Sequence, residues 1–296
     1  MRVIEVLEPG LFSTVQDLGR EGFGPLGVSP SGAADAISLR LGNRLAGNAE
    51  GAAALEMTLL GGTFAFSEGA DIALAGSDFG ATLDGKPVEM WASFEAKPGQ
   101  VLRMGLTRSL GSAATHILSG LGGHEGRALR KRDVLRIGEA SGVARKRRLS
   151  ASALKELHPR KVLRVTPGPQ SDWFPESAQK IFYESTYRVA EESNRMGIRL
   201  QGAAIPAPAS GEMISEGVAL GAVQVPEGGL PIILFVEQQT TGGYPKIANV
   251  ISADFHSLGQ LRPRDEIRFE QVDWKTARAL LKGQEELMAS KELIWQ

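Results

Sequence analysis

Polar and apolar positions alternate over short spans through most of this chain. Residues 2–7, RVIEVL, alternate and read as a strand running into a Pro9-Gly10 turn. From residue 53 onward LEMTLLGGTFAF, DIALAGS, ATLDGKPVEMWASFEA and QVLRMG are β-like runs divided by turns, and Asp84-Gly85 carries the signature of a tight hairpin. VLRVTPGPQ opens the second half as a strand, and LPIILFVE reads as a core strand. Helical spacing is confined to a few places. Ile37, Leu41 and Leu45 share a face within residues 33–48, which stop at Gly47-Asn48. SDWFPESAQKIFYES predicts a helix capped by Ser171 or Asp172, and SADFHSLGQL a short one. The last stretch, residues 273–296, is amphipathic, with Asp273 as cap and Ala277, Leu280 and Leu281 on one face. Many short strands, and no helix after each, argue for a mainly β, barrel-like architecture with a few helices.

The pattern also suggests an internal division. A basic turn feeding a short alternating strand occurs at Lys97–Met104, Lys131–Ile137 and Arg262–Phe269. Recurring turn chemistry and a barrel unit used more than once both account for it. Residues 139–161 are basic, small and interrupted by proline. The expected organisation is an N-terminal β-barrel-like domain over 1–140, a basic linker over 141–160, a C-terminal domain over 161–272 and a terminal helix over 273–296. Within the linker, Arg145–Arg148 reads as a solvated run or as a patch for an acidic partner or phosphate. The RRLS stretch around Ser150 matches a kinase-target pattern.

Composition narrows the chemistry. The 296 residues carry 33 basic and 34 acidic side chains, a balance that calls for neither nucleic acid nor an anionic membrane. No cysteine is present, which removes disulfides, thiolate metal sites and a cysteine nucleophile. The four histidines, His116, His124, His158 and His256, form no paired ligand motif, so no metal site is expected. A P-loop, a GxSxG elbow and kinase signatures are absent, and Gly120–His124 opens no βαβ unit. The N-terminus lacks the apolar core of a signal peptide, and no apolar run approaches about 18 residues. A cytoplasmic protein is the expectation.

What remains is a set of polar clusters beside glycines. Asp17 and Arg20, in TVQDLGR, suit either a structural ion pair or a ligand. Arg195, in SNRMG, suits a structural role or a fork onto a carboxylate or phosphate. Glu216 and Gln224 stand in otherwise apolar, small-residue strands and need partners if buried. They form a satisfied pair, or a shielded carboxylate beside an amide that suits an amide or carboxylate ligand or proton transfer. Last, EQQTTGGYPKIANV follows the core strand with Gln238, Gln239, Thr240, Thr241 and Tyr244 in quick succession. Gly242-Gly243 lets backbone come close to a ligand. Alone, this stretch reads as a polar hairpin turn.

Taken together, STVQDLGREGFGPLGVSPSGAAD, LGNRLAGN, GRAL…DVL, PGPQSDWF, SNRMGIRL, SEGVALGAVQVP and QTTGGYPKIANV resemble the family of KipA and the C component of 5-oxoprolinase, in order, over about residues 3 to 270. The same family includes the second component of allophanate hydrolase and the carboxyltransferase part of urea carboxylase. The resemblance implies two related cyclophilin-like β-barrel units. It also implies a heteromer with a KipI-like B component, together with an A component, and ATP-dependent opening of 5-oxoproline to glutamate through carbonyl phosphorylation. ATP would be used with the partner, with no metal or biotin attachment site in this chain. The resemblance places Glu216, Arg195 and Gln239 as catalytic and Asp17, Arg20, Gln224, Thr240, Thr241, Gly242 and Tyr244 as substrate-binding. Two alternative functions come with it: the carboxyltransferase component of a biotin-dependent urea or amide carboxylase, and a non-catalytic regulator that binds a kinase-inhibitor partner. The sequence departs from the family pattern in three places. Residues 103–111 run across a glycine-rich strand segment, which implies a shortened first barrel. Arg132 and Arg264 occupy turn positions where the family has glycine, and Glu237 stands where it has aspartate.

Overall fold

The computed structural model describes residues 2–105, 122–138, 146–206, 208 and 213–295. The segment 106–111, His116, Gly120, Leu121 and Arg145 therefore lie outside the described residues. The chain divides into two units. One takes Met1–Gly19, Ser31–Leu157 and Ala289–Gln296, and the other Arg20–Pro30 and His158–Met288.

In the first unit a six-stranded sheet runs in the order Val134–Arg136, Val3–Glu8, Thr63–Phe66, Val101–Arg103, Thr82–Leu83 and Lys86–Pro87. Its alternating inward residues, among them Val6, Phe64, Phe66, Leu102 and Leu135, make the core with Met57 and Met104. The Thr82–Pro87 hairpin turns at Asp84 and Gly85, both with left-handed φ (48° and 78°), as its sequence predicts. The helix Ala36–Ala46 starts where Asp35 accepts the Ser38 amide at 2.9 Å and ends at Gly47.

The second unit holds a closed barrel of seven strands. The order is Val162–Pro167, Lys246–Val250, Ala222–Gln224, Ile232–Leu234, Gly197–Gln201, Tyr187–Val189 and Glu266–Gln271, which closes in parallel on the first. Leu163, Val165, Ile198, Val223, Ile233, Ile247 and Phe269 are among its buried side chains. The helix Glu176–Glu184 adds Phe182 to this core, its ring stacked 4.4 Å from that of Phe269. The mainly β architecture matches expectation. Of the two implied barrels, one is closed among the described residues, and the first unit presents an open sheet instead.

Three details differ from the sequence reading. Ser171–Trp173 forms only a 3-10 turn, and the helix starts at Glu176, because Pro175 forces Phe174 into extended backbone (ψ 131°). The described part of the basic stretch is ordered as a strand, Arg148–Leu149, and a helix, Ala151–Glu156. There Arg147 donates to the Leu45 carbonyl at 3.2 Å and Arg148 pairs with Glu89 at 2.5 Å. Ser150 is the buried cap of that helix, its hydroxyl accepting the Ala153 amide at 3.2 Å, so it is no exposed kinase target.

The three basic turns share one geometry. Gly99, Arg132 and Arg264 occupy the same place in each, with φ of 81°, 75° and 73°. The next side chain then folds back onto the first amide of the turn. Gln100 accepts from Lys97 N at 2.8 Å, Asp133 from Arg130 N at 2.7 Å and Asp265 from Arg262 N at 2.7 Å. Arg127 also forks onto Asp133, which pushes that carboxyl down to about 2. One turn feeds the barrel and two feed the open sheet, so turn chemistry accounts for the repeat in both units. Arginine tolerates this left-handed backbone at roughly 1–2 kcal/mol, a strain that glycine escapes.

Candidate functional site

The polar cluster of the second unit assembles at one rim of the barrel. The strand Val162–Pro167 ends there and hands over to Gly168–Gln170. The strand Lys246–Val250 begins there, and Gln224, the last residue of its strand, is the cross-strand partner of Lys246. Above this rim a two-stranded ladder pairs Glu216 with Gly242 and Gly217 with Thr241. EQQTTGGYPKIANV is therefore more than a turn. It climbs from one barrel strand, forms half of this ladder and re-enters the barrel at Lys246.

Lys246 is the central group, and the sequence reading missed it. Its side chain is only 3% exposed, and its ammonium lies 2.6 Å from Glu216 Oε1, close enough for an ion pair though off the angle of a full hydrogen bond. Gln170, also buried, joins the two. Its Nε2 donates to Glu216 Oε1 at 3.0 Å, and its Oε1 accepts the Lys246 amide at 3.2 Å. A buried lysine needs a counter-charge, and Glu216 supplies it. The signal in the sequence was the single lysine opening the apolar run KIANV.

Lys246, and after it the Gln170 amide, hold the Glu216 carboxyl below its ordinary value of 4.5. Glu216 is thus a carboxylate at neutral pH, an acceptor or base and not a proton donor. A depressed folded pKa stabilises the fold above the unfolded value, and that contribution is lost as pH falls through the folded one. The melting temperature of the wild type is expected to exceed that of Glu216→Gln near about pH 7. The two should converge in acid, once Glu216 is protonated in the wild type. A gap that is unchanged across the titration would mean that the pair carries no such charge linkage.

Gln224 is 2% exposed, and its Nε2 has no hydrogen-bond partner among the described residues. Gly242 is buried between two amides. A Cβ built on it would stand 2.6 Å from Gln239 Nε2 and 2.7 Å from Gln224 Nε2. Gln239 and Thr241 are exposed, Thr240 is half-buried with its carbonyl accepting from Val218 N at 3.2 Å, and Tyr244 is exposed. Gln238 points elsewhere, donating to the Val218 carbonyl at 3.2 Å.

Arg195 is placed differently. Its Nε donates to Glu237 Oε1 at 2.7 Å, with the two side chains 10% and 6% exposed. Gly197 pairs with Leu234, whereas Gln224 pairs with Ile232, so by register Arg195 and Glu237 belong to the opposite end of these strands from Gln224. Asp17, in the first unit, accepts the Gly19 amide at 2.7 Å. Arg20, in the second, donates its amide to the Pro30 carbonyl at 2.7 Å, and its buried Nη1 has no hydrogen-bond partner among the described residues. Among the described residues no three histidine or acidic side chains converge as metal ligands, and no helix is long and apolar enough to cross a membrane.

Comparison with known proteins places the whole chain. The chain matches the family described as carboxyltransferase domain, subdomain A and B, over residues 26–109 and 105–271. It is 35% identical over 300 residues to the C component of 5-oxoprolinase from Haemophilus influenzae, covering 96% of each chain. It is likewise 35% identical over 311 residues to the C component of 5-oxoprolinase from Escherichia coli, covering 99% of this chain and 98% of that one. Among solved structures, the urea amidolyase of K. lactis superposes with a TM-score of 0.84 at 28% identity, covering 99% of this chain and 21% of the other.

Proposed function

The chain belongs to the carboxyltransferase-domain family, subdomains A and B, and from that premise we propose that it is the C component of an ATP-dependent 5-oxoprolinase, acting with the A and B components to open 5-oxoproline to glutamate. The observation that carries this reading is the 35% identity to two 5-oxoprolinase C components over 96% and 99% of the chain. The first unit is read as a shortened barrel of the same cyclophilin-like kind as the second.

Lys246 and Arg195 are each bound to a carboxylate, and no acidic cluster converges to hold a cation among the described residues. ATP is read as used with a partner component, and this chain as positioning the cyclic amide. Glu216 accepts the amide N–H, and Gln239, Thr240, Thr241 and Tyr244 form the edge that meets the ligand. Arg195 acts as a positioning residue through Glu237. Arg20, in the second unit, stays a substrate-binding candidate through an Nη1 that has no hydrogen-bond partner among the described residues, and Asp17 stays a separate candidate of the first unit.

The test is reconstitution with A and B components that are competent alongside their own C component. ATP-dependent release of glutamate from 5-oxoproline is expected, and its absence would overturn the reading. The likeness to urea amidolyase supports a second reading, carboxyl transfer to urea or a related amide from a separate biotinylated carrier protein. Carboxylation of urea by that carrier, without glutamate formation, would favour it.

A further inference from the structure

Gln170 is fixed at both its backbone and its side chain by a single residue. It is 6% exposed. Its N–H donates to the Lys246 carbonyl at 3.3 Å, and its side-chain Oε1 accepts the Lys246 N–H at 3.2 Å. A backbone N–H can only donate, which sets the orientation of the amide: Oε1 faces Lys246, and Nε2 is the end that meets Glu216. Nε2 donates to Glu216 Oε1 at 3.0 Å, and the Lys246 ammonium lies 2.6 Å from the same oxygen. Both contacts fall on Oε1, while the Glu216 side chain is 45% exposed. We propose that Gln170 is a positioning residue: clamped on Lys246, it pins Glu216 by Oε1 and leaves Oε2 as the atom that takes up a proton or a ligand N–H.

Lys246 alone does not supply this direction. Its ammonium is buried and off the angle of a full hydrogen bond, so it acts on Glu216 as a point charge that either carboxylate oxygen can approach. The bond from Gln170 is directional and selects one oxygen. It also keeps Glu216 in place. Turning Oε1 toward a ligand would leave the Lys246 ammonium and the Gln170 N–H₂ unpaired together, two buried donors at once. Among the described residues Lys246 is the charged group that faces Glu216, Gln170 is the neutral one, and Gly242, opposite in the ladder, has no side chain. A proton held on Oε2 can therefore come and go without disturbing either contact at Oε1. The pinning of Glu216 stands on this geometry. Its part in a reaction rests on the 5-oxoprolinase reading.

The experiment titrates the Glu216 carboxyl of the full-length chain by carbon-13 nuclear magnetic resonance, its signal identified by its loss in Glu216→Gln. Gln170→Glu is the principal variant. It is isosteric and keeps an acceptor for the Lys246 N–H, but it turns an acceptor toward Glu216 in place of a donor. Gln170→Met, which removes the donor without adding charge, is the second. Glu216 is expected to titrate at higher pH in both variants than in the wild type, because its charged form has lost a hydrogen bond. In the assembly reconstituted with A and B components, kcat for glutamate release should fall about tenfold or more. The acidic limb of its pH profile should move to higher pH together with the carboxyl, since Glu216 works deprotonated. If Gln170 were only a brace, stability would fall while the titration and the limb stayed where they were, and that result overturns the proposal. A limb that stays in place while the carboxyl moves overturns it too. A carboxyl that moves as expected, in a chain whose wild-type assembly releases no glutamate, leaves Gln170 as the residue that pins Glu216 and removes only the 5-oxoprolinase reading.

Discussion

Arg195→Met is expected to lower stability by about 3–5 kcal/mol, the loss typical when one member of a buried ion pair is removed. The reason lies in what is left behind. Glu237 is 6% exposed on its side chain and loses the guanidinium 2.7 Å away. The backbone around the pair is already fixed. Glu237 N donates to the Arg195 carbonyl at 2.8 Å and Phe235 N to the Met196 carbonyl at 3.0 Å, so the carboxylate has no easy path to water. The double variant Arg195→Met/Glu237→Met should recover most of the loss, because a well-packed apolar pair often equals a buried ionic one. Urea unfolding of wild type, both single variants and the double variant measures the coupling. A single variant within about 1 kcal/mol of wild type would show that the pair does not hold the strand ends together. The same experiment separates two roles. If Arg195 bound substrate directly, the double variant would regain stability but no activity. If it positions the loop after the core strand, activity should return with stability.

The parts of this fold that were legible in the sequence are those decided within a few residues. Asp84-Gly85 makes its hairpin because both residues accept left-handed backbone, and Asp273 caps its helix by accepting the Thr276 amide at 2.7 Å. The basic turns were visible as a repeat because the turn needs a carbonyl- or carboxylate-bearing side chain after the left-handed residue. The site was only half legible. Glu216, Gln224 and Gly242 stood out as polar or small residues in apolar company, and the structure gathers them at one rim. Gln170 escaped because nothing local marks it, and Lys246 because its one local mark, a lysine opening an apolar run, does not say what it pairs with. Lys246 gains its meaning from Glu216, and Gln170 from both, across a ladder and a barrel strand that only the closed topology brings together. Arg195 was left open between two roles for the converse reason. A forked cation beside a glycine has the same local appearance whether it awaits a ligand or is already paired to Glu237.

Gly168→Ala should be the most damaging small change at the site itself, costing about 3 kcal/mol, at the upper end of ordinary overpacking. Gly168 donates its amide to the Ile247 carbonyl at 2.9 Å. A Cβ there would fall 2.3 Å from the Lys246 carbonyl oxygen and 2.8 Å from both Ile247 C and Ala248 N. All three atoms are backbone, so no side chain can swing aside and the strand Lys246–Val250 must move. Its pairing with the first barrel strand, Thr166 with Asn249 and Pro167 with Ala248, lies immediately beside the clash. The displacement would reach the site through two routes. It shifts Lys246, and it pulls Gln170 away from the Lys246 amide and the Glu216 carboxylate that it joins. Activity in the reconstituted assembly should therefore fall by more than the stability loss alone predicts, even at temperatures where the variant is fully folded. Gly228→Ala is the matched control, since nothing lies within 4 Å of its added methyl. Chemical denaturation and 5-oxoproline turnover of the two variants side by side decide the matter. Equal behaviour would mean that the rim yields to a methyl group without cost, and that the close approach of Gly168 to Lys246 has no part in setting the site.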